Sequence, residues 1–403
     1  MGDEYSFLQE KIKDEAGSPK TFKKKIVQMI ILGFIFGIIA CFSFFACKPW
    51  VEGFLGQDQE EVYIPEDEET LEDEEEPDET DEQAQAIEEE QLQIRYLKSL
   101  QNTAKTVKKS IVRVSTQDSL KKSAEMSTIS GVVIADNGSE LLVLSQITMD
   151  DELKNVKITF SDGKECSASV KKKDDNIGIV VFAVKKDNID AETLRQLSIV
   201  TLGNSLRVKS GDPTIILGST KAAESVVSYG FVISSEEKKA ISDGYIDLLR
   251  TDAAGAAFDN GMLFDKNGEM IGLISETLDD NETLVTAYSI SDIKNELEHL
   301  SNGKGVPYIG IWGVALPEEL QEEGLESGIW VEEIDTDSPV MKAGVQRGDV
   351  ITQIADTTIY NMKDYRNVLL KQPVKKEIIL TGFRKGADDN YVEMEFKVIV
   401  GQK

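Results

Sequence analysis

General acid–base and nucleophilic chemistry draws first on His, Ser and Cys, and in this 403-residue chain His299 is the single histidine. A base that works near neutral pH is most often an imidazole, so any His-dependent mechanism must run through His299 or be abandoned. His299 falls in Ile293–Leu300, whose apolar spacing predicts an amphipathic helix with the imidazole on its solvated side. Candidate nucleophiles are unevenly spread: no Ser or Cys occurs between Ser242 and Ser275. Ser145 with Lys154 or Lys164 could be assembled into a Ser–Lys dyad on paper, but no spacing supports it. The three Cys, two of them inside one apolar run, make neither a disulfide framework nor a zinc site. No metal or cofactor is predicted.

The elements around these residues divide the chain into five parts. Residues 1–25 are basic at their end, with Lys20, Lys23, Lys24 and Lys25. Residues 26–47 form a 22-residue apolar run interrupted by Gln28, Gly33, Gly37 and Ser43. As a helix rising about 1.5 Å per residue, the run spans a hydrocarbon core of about 30 Å. It is too long for a cleaved signal peptide; the alternative is a lipoprotein signal ending at Cys41, which would leave an apolar stub. The expectation is one transmembrane helix, with the N-terminus cytoplasmic and the folded domains outside the cell membrane. Residues 48–104 form an acidic linker ending in a short helix. Of the 73 acidic residues, 20 lie in Glu52–Glu90, which has no Lys or Arg; removing them from the net charge of −29 leaves −9. Like-charge repulsion and low hydrophobicity predict a self-extending spacer over Gln57–Glu82, and Leu92, Tyr96, Leu97 and Leu100 predict the helix. The acidic balance argues against nucleic acid as a partner.

Residues 105–300 carry short β-rich runs punctuated by turns, which predict antiparallel sandwich or barrel architecture. Several segments are similar in order and spacing to the HtrA (DegP-like) family of trypsin-fold serine proteases. They are Ser130-Gly131-Val132-Val133-Ile134, Phe160-Ser161-Asp162-Gly163, Leu202-Gly203-Asn204-Ser205, Arg250-Thr251-Asp252-Ala253-Ala254 and Asn267-Gly268-Glu269-Met270-Ile271-Gly272. The resemblance implies two six-stranded barrels with an active site in the cleft between them. It also implies a Ser–His–Asp triad, and here the sequence departs from the family. Gln146 stands where the base belongs, Asn176 where the orienting Asp belongs, and Asn260 where the nucleophile belongs. A one-residue slip would put Asp175 in place of Asn176, and Asp259 is the alternative to Asn260. Phe258 falls near the glycine that shapes the oxyanion hole, and its Cβ opposes that backbone shape.

After the joint Asn302-Gly303-Lys304-Gly305, residues 306–401 have the size of a small domain. The stretch from Asp337-Ser338-Pro339 through Ala343-Gly344 to Arg347-Gly348-Asp349-Val350 resembles a PDZ domain of the HtrA type. Ser338-Pro339 predicts a helix start, and Gly344 a left-handed cap at its end. The resemblance implies peptide capture by strand addition beside the strand that begins at Ile311. The backbone of Tyr308-Ile309-Gly310-Ile311 would hold a terminal carboxylate, and Tyr365, Val368 and Leu369 would face an apolar side chain. Core packing explains Val368 and Leu369 equally well.

The whole reads as a mostly β protein: a trypsin-like double β-barrel followed by a PDZ domain, preceded by one transmembrane helix. The expected function is that of a membrane-anchored extracytoplasmic pseudoprotease, binding peptides or the C-termini of unfolded proteins in envelope quality control or scaffolding. The alternative is an active endopeptidase with unconventional catalytic residues. The resemblance further suggests a homotrimer or association with active HtrA relatives, in the envelope of a Gram-positive cell.

Overall fold

The computed structural model describes residues 61–65, 67, 82–118, 126–147, 153–219, 225–254, 260–275, 284–322, 324–325 and 327–403. The apolar run 26–47, the expected membrane span, lies outside them. Among the described residues no helix is long and apolar enough to cross a membrane.

Helix α1 (Glu82–Val107) is longer than its apolar pattern predicts. Of its described side chains, Leu100, Ala104 and Val107, spaced to share one face, join the barrel core, while Leu92, Tyr96 and Leu97 stand exposed. Part of the expected spacer is also held. The Val62 N–H donates to Asn302 Oδ1 at 2.8 Å, and Asn302 Nδ2 donates back to the Val62 carbonyl at 2.8 Å. Ile64 is buried beside them, and Asp67 accepts from Ser291 Oγ at 2.6 Å and Lys294 Nζ at 3.0 Å. An acidic segment thus ends as a strap, because this face of the barrel domain offers a buried lysine and a two-way amide.

Seven antiparallel strands follow: β1 (Ile111–Asp118), β2 (Met126–Asp136), β3 (Glu140–Gln146), β4 (Leu153–Thr159), β5 (Glu165–Ser167), β6 (Ser169–Asp174) and β7 (Ile179–Lys185), in the spatial order β5-β4-β1-β2-β3-β7-β6. This corrects the expectation of two six-stranded barrels. The three-residue β5 pairs only with β4, so the ladder ends there without closing onto β6. A short helix α2 (Ala191–Gln196) leads to the second half. There β8 (Pro213–Ser219), β9 (Val226–Ile241), β10 (Gly244–Ala254), β11 (Asn260–Phe264), β12 (Met270–Ser275) and β13 (Leu284–Ser289) do close, in the order β10-β13-β12-β11-β8-β9. The 16-residue β9 and 11-residue β10 form a long hairpin whose tip is Ser242-Asp243. Helix α3 (Ile290–Ser301) lays Ile290, Ile293, Leu297 and Leu300 on the barrel core.

The C-terminal domain begins with β14 (Pro307–Tyr308) and β15 (Ile311–Ala315), then α4 (Glu318–Glu322), β16 (Ile329–Ile334), α5 (Pro339–Ala343), β17 (Val350–Ile354) and β18 (Thr357–Thr358). It continues with α6 (Met362–Leu370), β19 (Glu377–Lys385), β20 (Tyr391–Ile399) and β21 (Gly401–Gln402), which pairs with β14. The main sheet runs β15-β16-β17-β19-β20, with β18 on β17. Ser338 Oγ caps α5 by accepting from the Met341 N–H at 3.2 Å, and Gly344 ends it with φ of 88°, as the Ser-Pro and Gly signals predict. The two domains interlock. Leu370 of α6 joins the barrel core, and Tyr245 of β10 packs against the PDZ core.

Candidate functional site

Of the three positions expected at the triad, Asn260 and Asn176 hold hydrogen bonds that tie the fold together. Asn260 opens β11, and its buried Oδ1 accepts from the Ser130 N–H at 2.9 Å and from Ser219 Oγ at 2.8 Å. Ser145 Oγ donates to the carbonyl of the same Ser130 at 2.7 Å. Strands β2 and β11 belong to different halves of the barrel domain, so Asn260 is a clasp between them. Gln146, the last residue of β3, is buried, and its Oε1 has no hydrogen-bond partner among the described residues. Asn176 turns the other way, donating through Nδ2 to the Ser242 carbonyl at 2.9 Å, at the tip of the β9–β10 hairpin. No shared partner draws the three together. Phe258, with the loop expected to shape an oxyanion hole, lies outside the described residues.

His299 sits in the last turn of α3, and its Nε2 lies 2.9 Å from the Leu370 carbonyl oxygen. A carbonyl only accepts, so Nε2 carries the proton, and the imidazole serves as a contact between the domains. The paper dyad fails as well. Ser145 is engaged with Ser130, and Lys164 pairs with Asp190 at 2.9 Å, which raises its pKa through the hydrogen bond to that carboxylate.

At the second expected site, the PDZ groove, the backbone already holds a carboxylate from the barrel domain. Gly310 has φ of 94°, and a Cβ there would collide with Ser338, so the backbone can curl its N–H groups inward only with glycine. Into that curl reaches Asp243. Its Oδ2 accepts from the N–H groups of Ile309 and Gly310, both at 2.8 Å. Its Oδ1 accepts from Gly310 at 3.1 Å, from Ile311 at 2.9 Å and from the Tyr365 hydroxyl at 2.7 Å. The backbone N–H of Asp243 donates to the Ile311 carbonyl at 2.7 Å, the first bond that an added strand would make. Burial pushes the Asp243 carboxyl up, and the hydrogen bonds from Ile311, Tyr365, Gly310 and Ile309 oppose that rise.

Among the predicted groove residues, Ile309, Ile311, Tyr365 and Leu369 are buried in the PDZ core. Tyr365 departs from its expected role, since its hydroxyl is a polar donor to the carboxylate. Tyr308 stands beside the cradle and donates to Asp335 Oδ2 at 2.6 Å. Ser242 Oγ and Trp312 Nε1, each at 2.7 Å, reach the same Asp335 carboxylate. Burial works against that charge, but these three hydrogen bonds and Lys403 hold Asp335 down to about 2.

Behind the hairpin tip, Glu296 of α3 is paired with Arg366 of α6, both buried. Burial raises the Glu296 carboxyl and Arg366 opposes it. A polar cavity of about 20 Å³, the space of one water, is lined there by Asp174, Asn176, Ser242, Asp243, Glu296 and Arg366, among others. Burial pushes Asp174 up to about 6 against the Asn176 N–H, helped by the Glu296 charge. Sequence reasoning missed Asp243, Glu296 and Arg366. The one local signal was Asp243-Gly244, which reads as a turn.

Comparison with known proteins agrees with this architecture. Residues 129–273 match the trypsin-like peptidase domain, and residues 330–381 match the PDZ domain. The chain is 26% identical over 275 residues to the periplasmic serine endoprotease DegP of Escherichia coli, covering 65% of this chain and 55% of DegP. It is 24% identical over 263 residues to the serine protease Do-like HtrA of Bacillus subtilis, covering 60% of this chain and 57% of that protein. The chain thus spans little more than half the length of these relatives. Among solved structures, it resembles the HtrA-type protease AlgW with a tripeptide, with a TM-score of 0.54, 20% identity and coverage of 75% of this chain and 97% of that one. The serine endoprotease from Yersinia pestis aligns with a TM-score of 0.51 and 18% identity, covering 75% of this chain and 97% of that one. Fold and sequence together define a trypsin-like peptidase domain joined to a PDZ domain. Within that class the chain is similar to the HtrA-type proteases.

Proposed function

We propose that this chain is a pseudoprotease of HtrA type, held at the cell membrane by residues 26–47 with its folded domains outside. Its work in this reading is to bind peptides or unfolded-protein C-termini through the PDZ domain, in envelope quality control or scaffolding. The observation that carries the reading is the state of the triad positions. Asn260 is consumed in a clasp between the two halves of the barrel domain, and the one imidazole is bonded to Leu370 at the domain junction. Loss of base and nucleophile together removes the steps that break a peptide bond. Assembly with itself or with active relatives belongs to the same proposal, supported by exposed Tyr229, Phe231 and Ile233 on β9.

The test is incubation of the purified full chain with casein. No cleavage is expected above a buffer control, and none should appear in Asn260→Ser. Casein cleavage abolished by changing one named residue of this chain would restore the reading as an endopeptidase with unconventional residues.

A further inference from the structure

We infer that Asp243 is an internal ligand of the PDZ carboxylate cradle, so that an external C-terminus binds only when the β9–β10 tip withdraws. The inference rests on the peptide-binding reading above and adds its regulation. A terminal carboxylate entering this groove needs the N–H groups of Ile309, Gly310 and Ile311, and all three are already bonded to one side chain at 2.8–3.1 Å. Asp243 therefore demonstrates that the cradle accepts a carboxylate, and it leaves no donor for a second. The mimicry includes the backbone: the Asp243 N–H occupies the Ile311 carbonyl, where an added strand would begin.

Local preference allows the turn, since aspartate tolerates the left-handed φ of 64° that Asp243 holds, and contacts of the fold fasten the tip in place. Ser242 fastens the same tip twice, through Oγ to Asp335 at 2.7 Å and through its carbonyl to Asn176 at 2.9 Å. Asn176 is the residue in the degenerate Asp position, so withdrawal of the tip would also release a side chain of the old catalytic half. The apparent affinity for an outside peptide is its intrinsic affinity reduced by the fraction of molecules with the tip withdrawn. Changes that favour withdrawal therefore tighten peptide binding without touching the peptide.

The experiment uses the full chain in detergent and a short peptide, labelled at its N-terminus, that ends in valine with a free carboxylate. Fluorescence anisotropy compares the wild type with Asp243→Asn, which keeps the shape and removes the charge. Asp243→Gly, suited to a φ of +64°, guards against a folding defect peculiar to the amide. Both variants are expected to bind at least tenfold more tightly than the wild type, and the peptide's C-terminal amide should bind none of the three. In parallel, the amides of Ile309, Gly310 and Ile311 should exchange with deuterium at least tenfold faster in the variants. Equal affinities in all three proteins, with unchanged exchange, would overturn the inference and leave peptide capture standing. No binding by any of them, with faster exchange in the variants, would overturn peptide capture as well; the Asp243 contact would then be a clamp between domains and not a gate.

Discussion

Arg366→Ala is the substitution whose consequence the structure defines most fully. Among the described residues, it removes the only cation paired with Glu296, a carboxylate that is 1% exposed. Its Oε2 has no hydrogen-bond partner among the described residues, and without Arg366 a backbone hydrogen bond is what remains to offset the charge. Stranding a buried charge in this way costs about 3–5 kcal/mol. With a urea slope of about 3 kcal/mol/M for a chain of this size, the unfolding midpoint falls by roughly 1–1.7 M. The pH dependence gives the mechanism a second signature. Burial already raises the Glu296 carboxyl, and Arg366 is the strongest influence opposing the rise, so the variant's carboxyl moves further above its unfolded value. An acid whose folded pKa is raised penalises the fold while ionised, and the penalty fades as pH falls through that pKa. The deficit relative to wild type, measured by urea denaturation followed by circular dichroism, is therefore expected to be full near pH 7.5 and much reduced near pH 5. The double variant Glu296→Gln/Arg366→Met, which buries no charge, should return to within about 1 kcal/mol of wild type. A wild-type midpoint for Arg366→Ala at pH 7.5 would refute the reasoning. So would a deficit that persists undiminished at pH 5, or a double variant no better than the single.

Two further outcomes follow from the same structure. Asp174, pushed up to about 6 by burial, loses native stability as pH rises from about 4 to about 6, by roughly 3 kcal/mol for a shift of about two units. Asp174→Asn keeps an oxygen for the Asn176 N–H and should flatten that part of the urea-midpoint profile relative to wild type; an unchanged slope would assign the titration elsewhere. Asn302→Ala removes both hydrogen bonds to Val62. At about 1 kcal/mol for each, cleavage at Glu61 or Glu66 by a glutamyl endopeptidase should quicken roughly tenfold or more, and an unchanged rate would show that the strap is held otherwise.

Much of the fold was legible because it rests on local rules. The apolar runs that became β3, β7 and β8 read as strands, and Ser338 and Gly344 marked both ends of α5 by the chemistry of capping. Gly310 was legible for a similar reason, since a curl of inward N–H groups excludes a Cβ. Other features were hidden because two distant segments had to meet. The strap at Val62 and Ile64 depends on Asn302 and Glu298, and an acidic composition alone reads as a free spacer. The open seven-stranded half depends on where β5 finds its single partner.

Counting alone settled one matter. A chain with a single histidine, placed in a helix beyond the last barrel strand, limits its acid–base chemistry whatever its fold, because residue types do not change on folding. Tertiary structure decided what the remaining positions do. Asp243 is 67 residues from Gly310 in the chain, and Glu296 is 70 from Arg366; no periodicity or motif links residues so far apart. Their pairing comes from packing the hairpin and α3 against the PDZ domain. Burial there makes an unpaired carboxylate too costly to leave without donors or a counter-charge. A turn-forming aspartate thereby became the occupant of the backbone cradle in the PDZ domain.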